Sequence, residues 1–315
     1  MNSVEVDQTK NVGITTLLKN ICSLDVSELN CMTVSGWDLK EHFMFSKNEK
    51  FDIILPLKKI LGFCEDYKKL ILNAKLELVL LRSRNDLNCW TYTSDQSTKI
   101  KLHKIQWWMP HINLDDWHKL QLLEILKKSV PITISFRTWD LYELSIIPTT
   151  TKHSWMIKTS TQLEKPRFII LAFQTGRKNN FLTDGSVFDN SNISDVKVYL
   201  NSEIYPYENL NIDFRVKDKK STSLLYYNYC RFKSSYYNDE LYLPLLNYTD
   251  FIANYPIHVI DCSKQTESIK NGVVDIRIEF QANEIVKDST SAYCLILHDK
   301  LMQYNPFNNI VEKIV

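Results

Sequence analysis

Val274-Asp-Ile-Arg-Ile-Glu-Phe280 alternates apolar and charged side chains along its whole length. Alternation with a period of two places the apolar side chains on one face of a β-strand and the charged ones on the other. Pro131-Ile-Thr-Ile-Ser-Phe-Arg-Thr-Trp139 shows a similar pattern nearer the N-terminus. Strands of this kind are typical of antiparallel sheets with one solvated face. The two stretches therefore predict antiparallel β structure in both halves of the chain.

Other strands and helices follow from the same reasoning. Short apolar or alternating runs predict strands over residues 75–82, 100–109, 154–159, 167–174, 196–200, 257–260 and 293–298. Helical spacing predicts helices over 221–237 and 248–255, and one that begins near Asp115 and ends at Lys127-Lys128. Because the strands do not alternate regularly with helices, a parallel doubly wound sheet is disfavoured. The pattern favours a mainly β protein of two antiparallel sandwiches, each with an inserted helix.

The division into two sandwiches rests on length and on one linker. A chain of 315 residues is long enough for about two domains. Pro148-Thr-Thr-Thr-Lys152 is polar, begins with proline and falls near the middle of the chain. We therefore expect one domain over residues 1–148 and a second over 149–315. Residues 1–50 show little strand pattern, so the first sandwich is expected to be incomplete at its N-terminus.

Composition disfavours several classes of protein. Lys and Arg number 38 against 37 Asp and Glu, and this net charge of +1 lacks the basic excess typical of nucleic-acid binding. Only 6 residues are glycine, which disfavours phosphate-binding loops and dinucleotide folds. The 7 cysteines are scattered without a CxxC pair, which indicates reduced intracellular thiols rather than a zinc ribbon. No run is long and apolar enough for a membrane span, and the polar stretch Met1–Lys10 shows no signal peptide.

Few side chains have the spacing of a catalytic or metal-binding motif. Cys262 follows His258 closely, but Asp-Cys-Ser at the end of a strand is more often a turn in which the side chains bond local backbone. The carboxylate pairs Glu65-Asp66 and Asp115-Asp116 are expected to be solvated or to cap helices. The histidines form no HExxH motif. We therefore predict no catalytic, cofactor-binding or metal-binding residue.

One predicted helix is rich in tyrosine. Tyr226, Tyr227, Tyr229, Tyr236 and Tyr237 lie on the helix predicted over residues 221–237. Exposed aromatic rings can stack on nucleic-acid bases. The position of these tyrosines on a helix is better explained if their rings pack against a sheet or another subunit.

Several longer stretches occur in an order that is specific to one known family. In the first half they are Ile54-Leu-Pro-Leu-Lys-Lys-Ile-Leu-Gly-Phe63 with Glu65-Asp-Tyr67, Glu77-Leu-Val-Leu-Leu-Arg82 with Arg84-Asn-Asp86, and Phe136-Arg-Thr-Trp139. In the second half they are Thr159-Ser-Thr-Gln-Leu-Glu-Lys-Pro-Arg167 with Phe173-Gln-Thr175 and Arg177, Val196-Lys-Val-Tyr-Leu-Asn-Ser-Glu203 with Tyr205-Pro-Tyr207, Val259-Ile-Asp-Cys-Ser263 with Gln265 and Glu267-Ser268, and Cys294-Leu-Ile-Leu-His-Asp299. From about Phe51 onward the chain resembles the double jelly-roll capsid-like proteins of arthropod genomes, which are similar to the major capsid proteins of Polinton/Maverick elements.

The resemblance implies a fold and a structural role. The fold would be two jelly rolls in tandem, each with a helix between two of its strands. Three subunits would form a pseudo-hexagonal homotrimer, and trimers would tile the shell of a virus or mobile element, with penton or minor capsid proteins as further partners. The family offers no catalytic residue and no cofactor. A virion or intracellular location is implied, for an active viral gene or an endogenous relic.

Two other functions stay open at this point. A monomeric β-sandwich that binds carbohydrate or protein would gather exposed aromatic side chains in one concave groove. A jelly-roll hydrolase would need carboxylates or histidines that converge in one cleft. A structure separates these alternatives.

Overall fold

The computed structural model describes residues 1–37, 50–91, 99–157, 166–216, 219–240, 243–265 and 274–314. The α-helices in these ranges are α1 (Val12–Ser23), α2 (Val26–Met32), α3 (Gly62–Asp66), α4 (Asp116–Lys127), α5 (Ser223–Tyr237) and α6 (Tyr248–Asn254). The strands are β1 (Ile132–Leu144), β2 (Lys152–Ile157), β3 (Pro166–Thr175), β4 (Ile193–Leu200), β5 (Glu203–Tyr205), β6 (His258–Asp261), β7 (Ile276–Ala282), β8 (Thr290–Asn305) and β9 (Ile310–Ile314). Short 3₁₀ turns cover Thr33–Ser35, Leu57–Lys59 and Lys219–Ser221.

The strands form two antiparallel sheets with the connectivity of a jelly roll. One sheet has the order β1-β8-β3-β6, and β9 extends it by pairing with the last residues of β8. The other sheet has the order β2-β7-β4-β5. Two facing four-stranded sets wound in this order are the jelly-roll arrangement. The mainly β class and the antiparallel sheets predicted from the sequence are therefore confirmed.

The apolar side chains pack in three layers of secondary structure. Between the two sheets lies a core that includes Leu171 on β3 and Ile278 on β7. On the opposite face of the larger sheet, α1, α5 and α6 cover a second core that includes Trp139 and Tyr293. The larger sheet is thus buried on both faces. A third, smaller cluster lies under the N-terminal residues at the β9 end of that sheet.

Most of the secondary structure predicted in the second half of the chain is confirmed. Strands occur within or beside the predicted runs at 154–159, 167–174, 196–200, 257–260, 274–280 and 293–298, and helices at 221–237 and 248–255. Both α5 and α6 lie in the connection between β5 and β6, as an inserted helix requires. The helix predicted from Asp115 is also confirmed as α4.

The strands predicted at residues 75–82 and 100–109 are wrong. Both segments lack regular secondary structure, and neither pairs with another described residue in a sheet. In the described residues before Ile132 the chain forms helices, turns and irregular segments without a strand. Alternation sets which face of a strand is apolar, but the strand itself forms only when a neighbour supplies hydrogen bonds.

The pairing of β1 with β8 joins residues on both sides of the domain boundary predicted from the linker. β1 lies before residue 148, and it pairs over its whole length with β8, from Ile132 opposite Tyr304 to Leu144 opposite Ala292. The residues from Ile132 onward are therefore part of the same sandwich as the second half. The division into 1–148 and 149–315 stays a prediction.

The outer edge of β1 is covered by α3. The backbone N–H of Arg137 donates to Oδ2 of Asp66 at 2.8 Å, which satisfies an edge donor without a further strand. Gly62 lies so close to β1 that a Cβ atom there would stand 1.8 Å from the carbonyl oxygen of Arg137. Only glycine permits this approach, and the contact fixes α3 against the strand. Covering an edge in this way protects it from unwanted pairing.

We expect Gly62→Ala to lower the free energy of unfolding by at least about 2 kcal/mol, because the added methyl group must push α3 away from β1. Urea unfolding followed by circular dichroism measures the loss. Gly13→Ala is the matched control, since a Cβ atom at Gly13 meets nothing within 4 Å and alanine favours the helix. Equal stability of the two variants would refute the close packing of α3.

Candidate functional site

The thiol candidate does not form a catalytic pair. His258 and Cys262 are both buried at the start and just past the end of β6, and four steps along a strand span about 13 Å. Burial raises the pKa of the Cys262 thiol well above its usual range. Oδ1 of Asp261 accepts the backbone N–H of Ser263 at 2.9 Å, so the local turn predicted for this tripeptide is confirmed.

His258 is an uncharged core residue. Burial lowers its pKa to about 3, from an ordinary value of 6.5. Neither ring nitrogen has a hydrogen-bond partner within the described ranges. The ring packs edge-on against Phe173, with centroids 6.2 Å apart. His258 is therefore held neutral, and it contributes packing.

His298 and Asp140 form a pair that the sequence did not indicate. Nε2 of His298 lies 3.0 Å from Oδ2 of Asp140, and Nδ1 lies 3.3 Å from the carbonyl oxygen of Asp299. Burial opposes ionisation of Asp140, but His298 holds the pKa of that carboxyl below its usual range. Because both ring nitrogens are engaged, the pair has no free position from which to activate a nucleophile. Only the register of β1 against β8 brings these residues together.

The first carboxylate pair has a different environment from the one expected. Glu65 and Asp66 are neither solvated nor helix caps; both are partly buried between α3 and the sandwich. Oε1 of Glu65 accepts hydrogen bonds from Nζ of Lys19 at 2.6 Å and from the hydroxyl of Tyr237 at 3.0 Å. Burial lowers the pKa of Lys19, and the carboxylate of Glu65 acts in the opposite direction.

Asp66 makes the second half of this charged junction. Its carboxylate receives Nε of Arg137 at 2.8 Å as well as the backbone N–H of that residue. Arg137 also donates to the carbonyl oxygen of Tyr236 at 2.9 Å, and its guanidinium lies 4.4 Å from the ring centroid of Tyr237. Burial opposes ionisation, but Arg137 holds the pKa of Asp66 below its usual range. The junction therefore ties α3, β1 and α5 together.

A second set of ion pairs holds α2. Nζ of Lys233 on α5 lies 2.9 Å from Oδ2 of Asp25, and Nζ of Lys59 lies 2.8 Å from Oε1 of Glu28. Lys59 and Lys233 are both nearly buried. Asp25 also caps α2 by accepting the backbone N–H of Glu28. These contacts dock the N-terminal residues on the helix layer and leave no nucleophile or open ligand position among them.

The remaining candidates have structural roles. Asp115 caps α4 by accepting the backbone N–H of His118 at 2.8 Å, which confirms the capping prediction. Four of the five tyrosines of α5 pack as expected, among them Tyr229 on Phe251 and Tyr236 on Phe232, whereas Tyr227 is exposed. All 7 cysteines are free, and Cys31 and Cys89 are exposed rather than buried. Among the histidines, His42 lies outside the described residues.

Two negative findings apply to the part of the chain that the structure describes. It contains no group of three or more His, Cys, Asp or Glu side chains that could hold a metal ion. None of its helices combines the length and the apolar character that crossing a membrane requires.

The most unusual surface is the segment between α3 and β1, which we call the arm: residues 68–91 and 99–131. Fifteen of the exposed large apolar side chains lie on it: Leu70, Val79, Leu80, Leu81, Leu87, Leu102, Ile105, Trp107, Trp108, Ile112, Trp117, Leu120, Leu123, Ile125 and Val130. Leu81 is 92% exposed and Trp108 82% exposed. Monomeric proteins rarely leave so many large apolar side chains together in water, and such patches mark interaction sites.

Hydrogen bonds attach the arm to the sandwich at a few points. Nδ2 of Asn73 donates to the carbonyl oxygen of Pro306 at 2.7 Å, and Nδ2 of Asn305 donates to the carbonyl oxygen of Ser129 at 3.2 Å. The backbone N–H of Asn179 donates to Oδ1 of Asn88 at 2.6 Å. Ile71, Ala74 and Leu76 pack at the base, against the third core cluster. The fifteen exposed apolar side chains of the arm join none of the three core clusters.

The fold and this surface define a jelly-roll protein with a large exposed apolar segment. The sequence profile of the double jelly roll-like domain matches residues 1–302. The chain therefore belongs to the double jelly roll-like domain family.

Two solved structures are among those similar to the chain. A chain of the 3.5 Å cryo-EM structure of the Sputnik virophage is 14% identical over 58% of this chain and 39% of its own, with a TM-score of 0.31. PBCV-1 VP54, in a crystal structure fitted into a reconstruction of Sputnik, is 8% identical over 64% of this chain and 55% of its own, with a TM-score of 0.36. The chain thus spans about two fifths of the length of the first relative and about half of the length of the second. TM-scores as low as these carry no argument about function. No curated protein sequence matches the chain.

We expect Arg137→Met to lower the free energy of unfolding by about 2–4 kcal/mol, because it leaves the half-buried carboxylate of Asp66 without its counter-ion. Urea unfolding measures the change. Arg215→Met is the control, since Arg215 pairs with Asp213 at the surface and its loss should leave the midpoint unchanged. A loss of the same size in both variants would show that the junction contributes no more to the free energy of unfolding than a surface ion pair does.

We expect neutral His258 to make the fold sensitive to mild acid. Its folded pKa of about 3 lies below the ordinary 6.5, so its contribution to stability is complete above pH 6.5 and is lost as the pH falls toward 3. Between pH 7.5 and 5.5 the wild-type chain should lose about 1.4 kcal/mol more than His258→Leu. Thermal or urea unfolding at the two pH values measures this difference, and replacement of exposed His111 by Gln should not change it. Parallel pH profiles for wild type and His258→Leu would contradict the assignment.

Proposed function

We propose that this chain is a structural subunit of the major-capsid type, from a virus or a Polinton-like mobile element or from an endogenised relic of one. The observation that carries the proposal is the membership of residues 1–302 in the double jelly roll-like domain family, together with the jelly-roll order of the sheets. In the proposed assembly, three copies form a pseudo-hexagonal trimer and trimers tile a shell. Penton or minor capsid proteins would be further partners, and the virion would be the place of action.

The surface chemistry supports a structural role over an enzymatic one. In the described residues the buried charges pair with one another to join the N-terminal helices to the sandwich. Two open cavities of about 240 Å³ each are lined mostly by polar side chains, one near Arg177 and Tyr293 and the other near Asp66 and Ser135. Neither gathers a nucleophile with a free base, which a hydrolase would need.

The placement of exposed aromatic rings supports self-association over ligand binding. A carbohydrate-binding sandwich would collect them in one groove. Here Trp107, Trp108 and Trp117 lie on the arm, whereas Tyr207 and Phe307 are exposed on separate loops of the sandwich. Aromatic side chains spread over the sides of a subunit suit contacts between subunits.

We also propose that the residues before β1 occupy the place of the first roll. The family profile begins at residue 1, and the segments at 75–82 and 100–109 keep the apolar pattern of strands while lying unpaired. This arrangement accounts for an apolar segment attached to one well-packed sandwich. The domain division of 1–148 and 149–315 would then need its boundary moved to the start of β1.

We expect the purified chain to form a trimer with a mass near three times 37.1 kDa. Light scattering across a hundredfold range of concentration, checked by native mass spectrometry, measures this. A trimer would justify electron microscopy of larger assemblies. A well-folded monomer at every concentration would contradict assembly and favour a monomeric binding sandwich.

A further inference from the structure

We propose that residues 101–113 of the arm are a proteolytic processing site, at which an endoprotease specific for basic residues cuts the folded chain. The cut leaves one folded subunit made of two pieces, which buried contacts hold together. The inference goes beyond the proposed function, because it concerns a modification of the single chain and assumes no self-association. Three observations carry it: a backbone without partners, two exposed lysines, and contacts that bridge the cut.

The backbone of residues 101–113 is open to a protease. This segment forms neither helix nor strand, and it makes no backbone–backbone hydrogen bond with any other described residue. Twelve of its thirteen residues are exposed, and Met109 is half-buried. Exposed loop segments are the preferred sites of proteolytic cutting, because an endoprotease must pair with the main chain of its substrate. Residues 101–113 therefore offer free donors and acceptors without prior unfolding.

Both ends of the open segment are fixed. On the N-terminal side, Oδ2 of Asp86 accepts the N–H of Ile100 at 2.9 Å, and Arg82 donates to the carbonyl oxygen of Ile100 at 2.7 Å. On the C-terminal side the chain enters α4, which Asp115 caps. The peptide bond after Lys99 is therefore held at its N–H group, and the bonds open to hydrolysis lie between Ile100 and α4.

Two lysines define the specificity of the site. Lys101 and Lys104 are exposed, and residues 101–113 contain no Asp or Glu. A protease that cleaves after basic residues binds the side chain in a pocket with a carboxylate, so a basic segment free of acidic side chains suits it. The nearby Arg84 is also exposed, but it leads into a turn in which Oδ1 of Asn85 accepts the N–H of Leu87 at 3.2 Å.

The proposed reaction is hydrolysis of the peptide bond after Lys101 or Lys104. One water molecule is added across the bond, so that the lysine gains a carboxylate and the next residue gains an ammonium group. The protease supplies the catalytic groups, and no other reactant is consumed. Hydrogen bonds at Asn73 and Ser129 anchor the arm on either side of the cut. The arm, which is a loop fixed at both ends before the cut, thus becomes two separate tails.

Charged contacts bridge the cut. Oδ2 of Asp25 in the N-terminal piece lies 2.9 Å from Nζ of Lys233, which is nearly buried. Asp66 accepts the backbone N–H of Arg137 at 2.8 Å, and it pairs with the guanidinium of the same residue. Separation of the pieces would leave these half-buried charges without partners, which disfavours it.

Apolar side chains that precede the cut belong to two of the core clusters. Leu18 and Ile21 on α1 are fully buried under the helix layer. Met1 and Val6 pack in the third cluster with Tyr304 of β8. Loss of the N-terminal piece would expose both clusters to water, so the pieces of the cut chain separate only when the sandwich unfolds.

Limited proteolysis of the full-length chain with trypsin, an enzyme of this class, tests the site. A small amount of trypsin is added at low chain concentration, and intact-mass spectrometry identifies the first products. We expect two pieces of about one third and two thirds of 37.1 kDa, with the smaller piece ending at Lys101 or Lys104. First cuts confined to other parts of the chain would overturn the proposal.

A matched pair of double variants tests the role of the two lysines. Lys101→Gln with Lys104→Gln removes both basic side chains from the segment, and Lys152→Gln with Lys287→Gln removes two exposed ones from the sandwich. Both variants lower the net charge by the same amount. We expect the first to slow the initial cut at least tenfold and the second to change its rate less than twofold. Equal rates in the two variants would contradict the assignment.

A core variant separates an open site from one that is exposed only by unfolding. Ile278→Val removes a methyl group from the core between the sheets. This change raises the population of unfolded chain, and the rate of any cut that depends on it, about two- to tenfold. We expect the rate of the cut after Lys101 or Lys104 to stay the same. A rate that rises with the unfolded population would refute the open segment.

The state of the cut chain tests the second part of the proposal. We expect the two pieces to elute together in size-exclusion chromatography, to keep the circular dichroism of the intact chain, and to separate only in urea. Separate elution in buffer, or loss of the β-sheet signal after a single cut, would show that the fold needs the covalent link and would overturn this part.

Discussion

The burial of β8 on both faces is the constraint from which the rest of the structure follows. Along this strand Ala292, Cys294 and Ile296 point to the opposite sheet, whereas Tyr293, Leu295 and Leu297 point to the helix layer. A strand that is apolar on both faces needs a cover on each side. The jelly roll supplies one cover, and the long insertion with α5 and α6 supplies the other. β8 also pairs with β1, β3 and β9, so it sets the register of the larger sheet.

The free edge of β1 imposes a second constraint, which is met by charge and close packing. An uncovered edge strand would recruit further chains. Here Gly62 allows α3 to touch the backbone of β1, and Asp66 accepts both the backbone N–H and the side chain of Arg137. Lys19 and Glu65 extend the same junction to α1. Charges that are half removed from water hold one geometry firmly, since a displaced partner leaves an unpaired charge behind. Access to this edge is therefore restricted.

Local pattern in the sequence predicted the strands that pair within the sandwich and failed for those that do not. The alternation at 274–280 and the apolar run at 293–298 were reliable because each has neighbours on both sides. Residues 75–82 and 100–109 have equally good patterns, but pattern carries no information about whether a partner strand exists. The charged junction was not predictable, because Lys19, Glu65 and Arg137 are distant in sequence. Nothing adjacent to the Glu65-Asp66 pair distinguishes it from the exposed pair at Asp115-Asp116.

The exposed arm involves two opposing terms in the free energy, one for covering its apolar side chains and one for ordering its backbone. Burial of apolar surface yields about 25 cal/mol per Å², so covering even part of the arm would favour association strongly. Ordering an extended segment costs about 1–2 kcal/mol for each residue whose backbone is fixed, which offsets much of that gain. The anchors at Asn73, Asn88 and Ser129 reduce the cost because they hold the segments near one geometry before any contact forms.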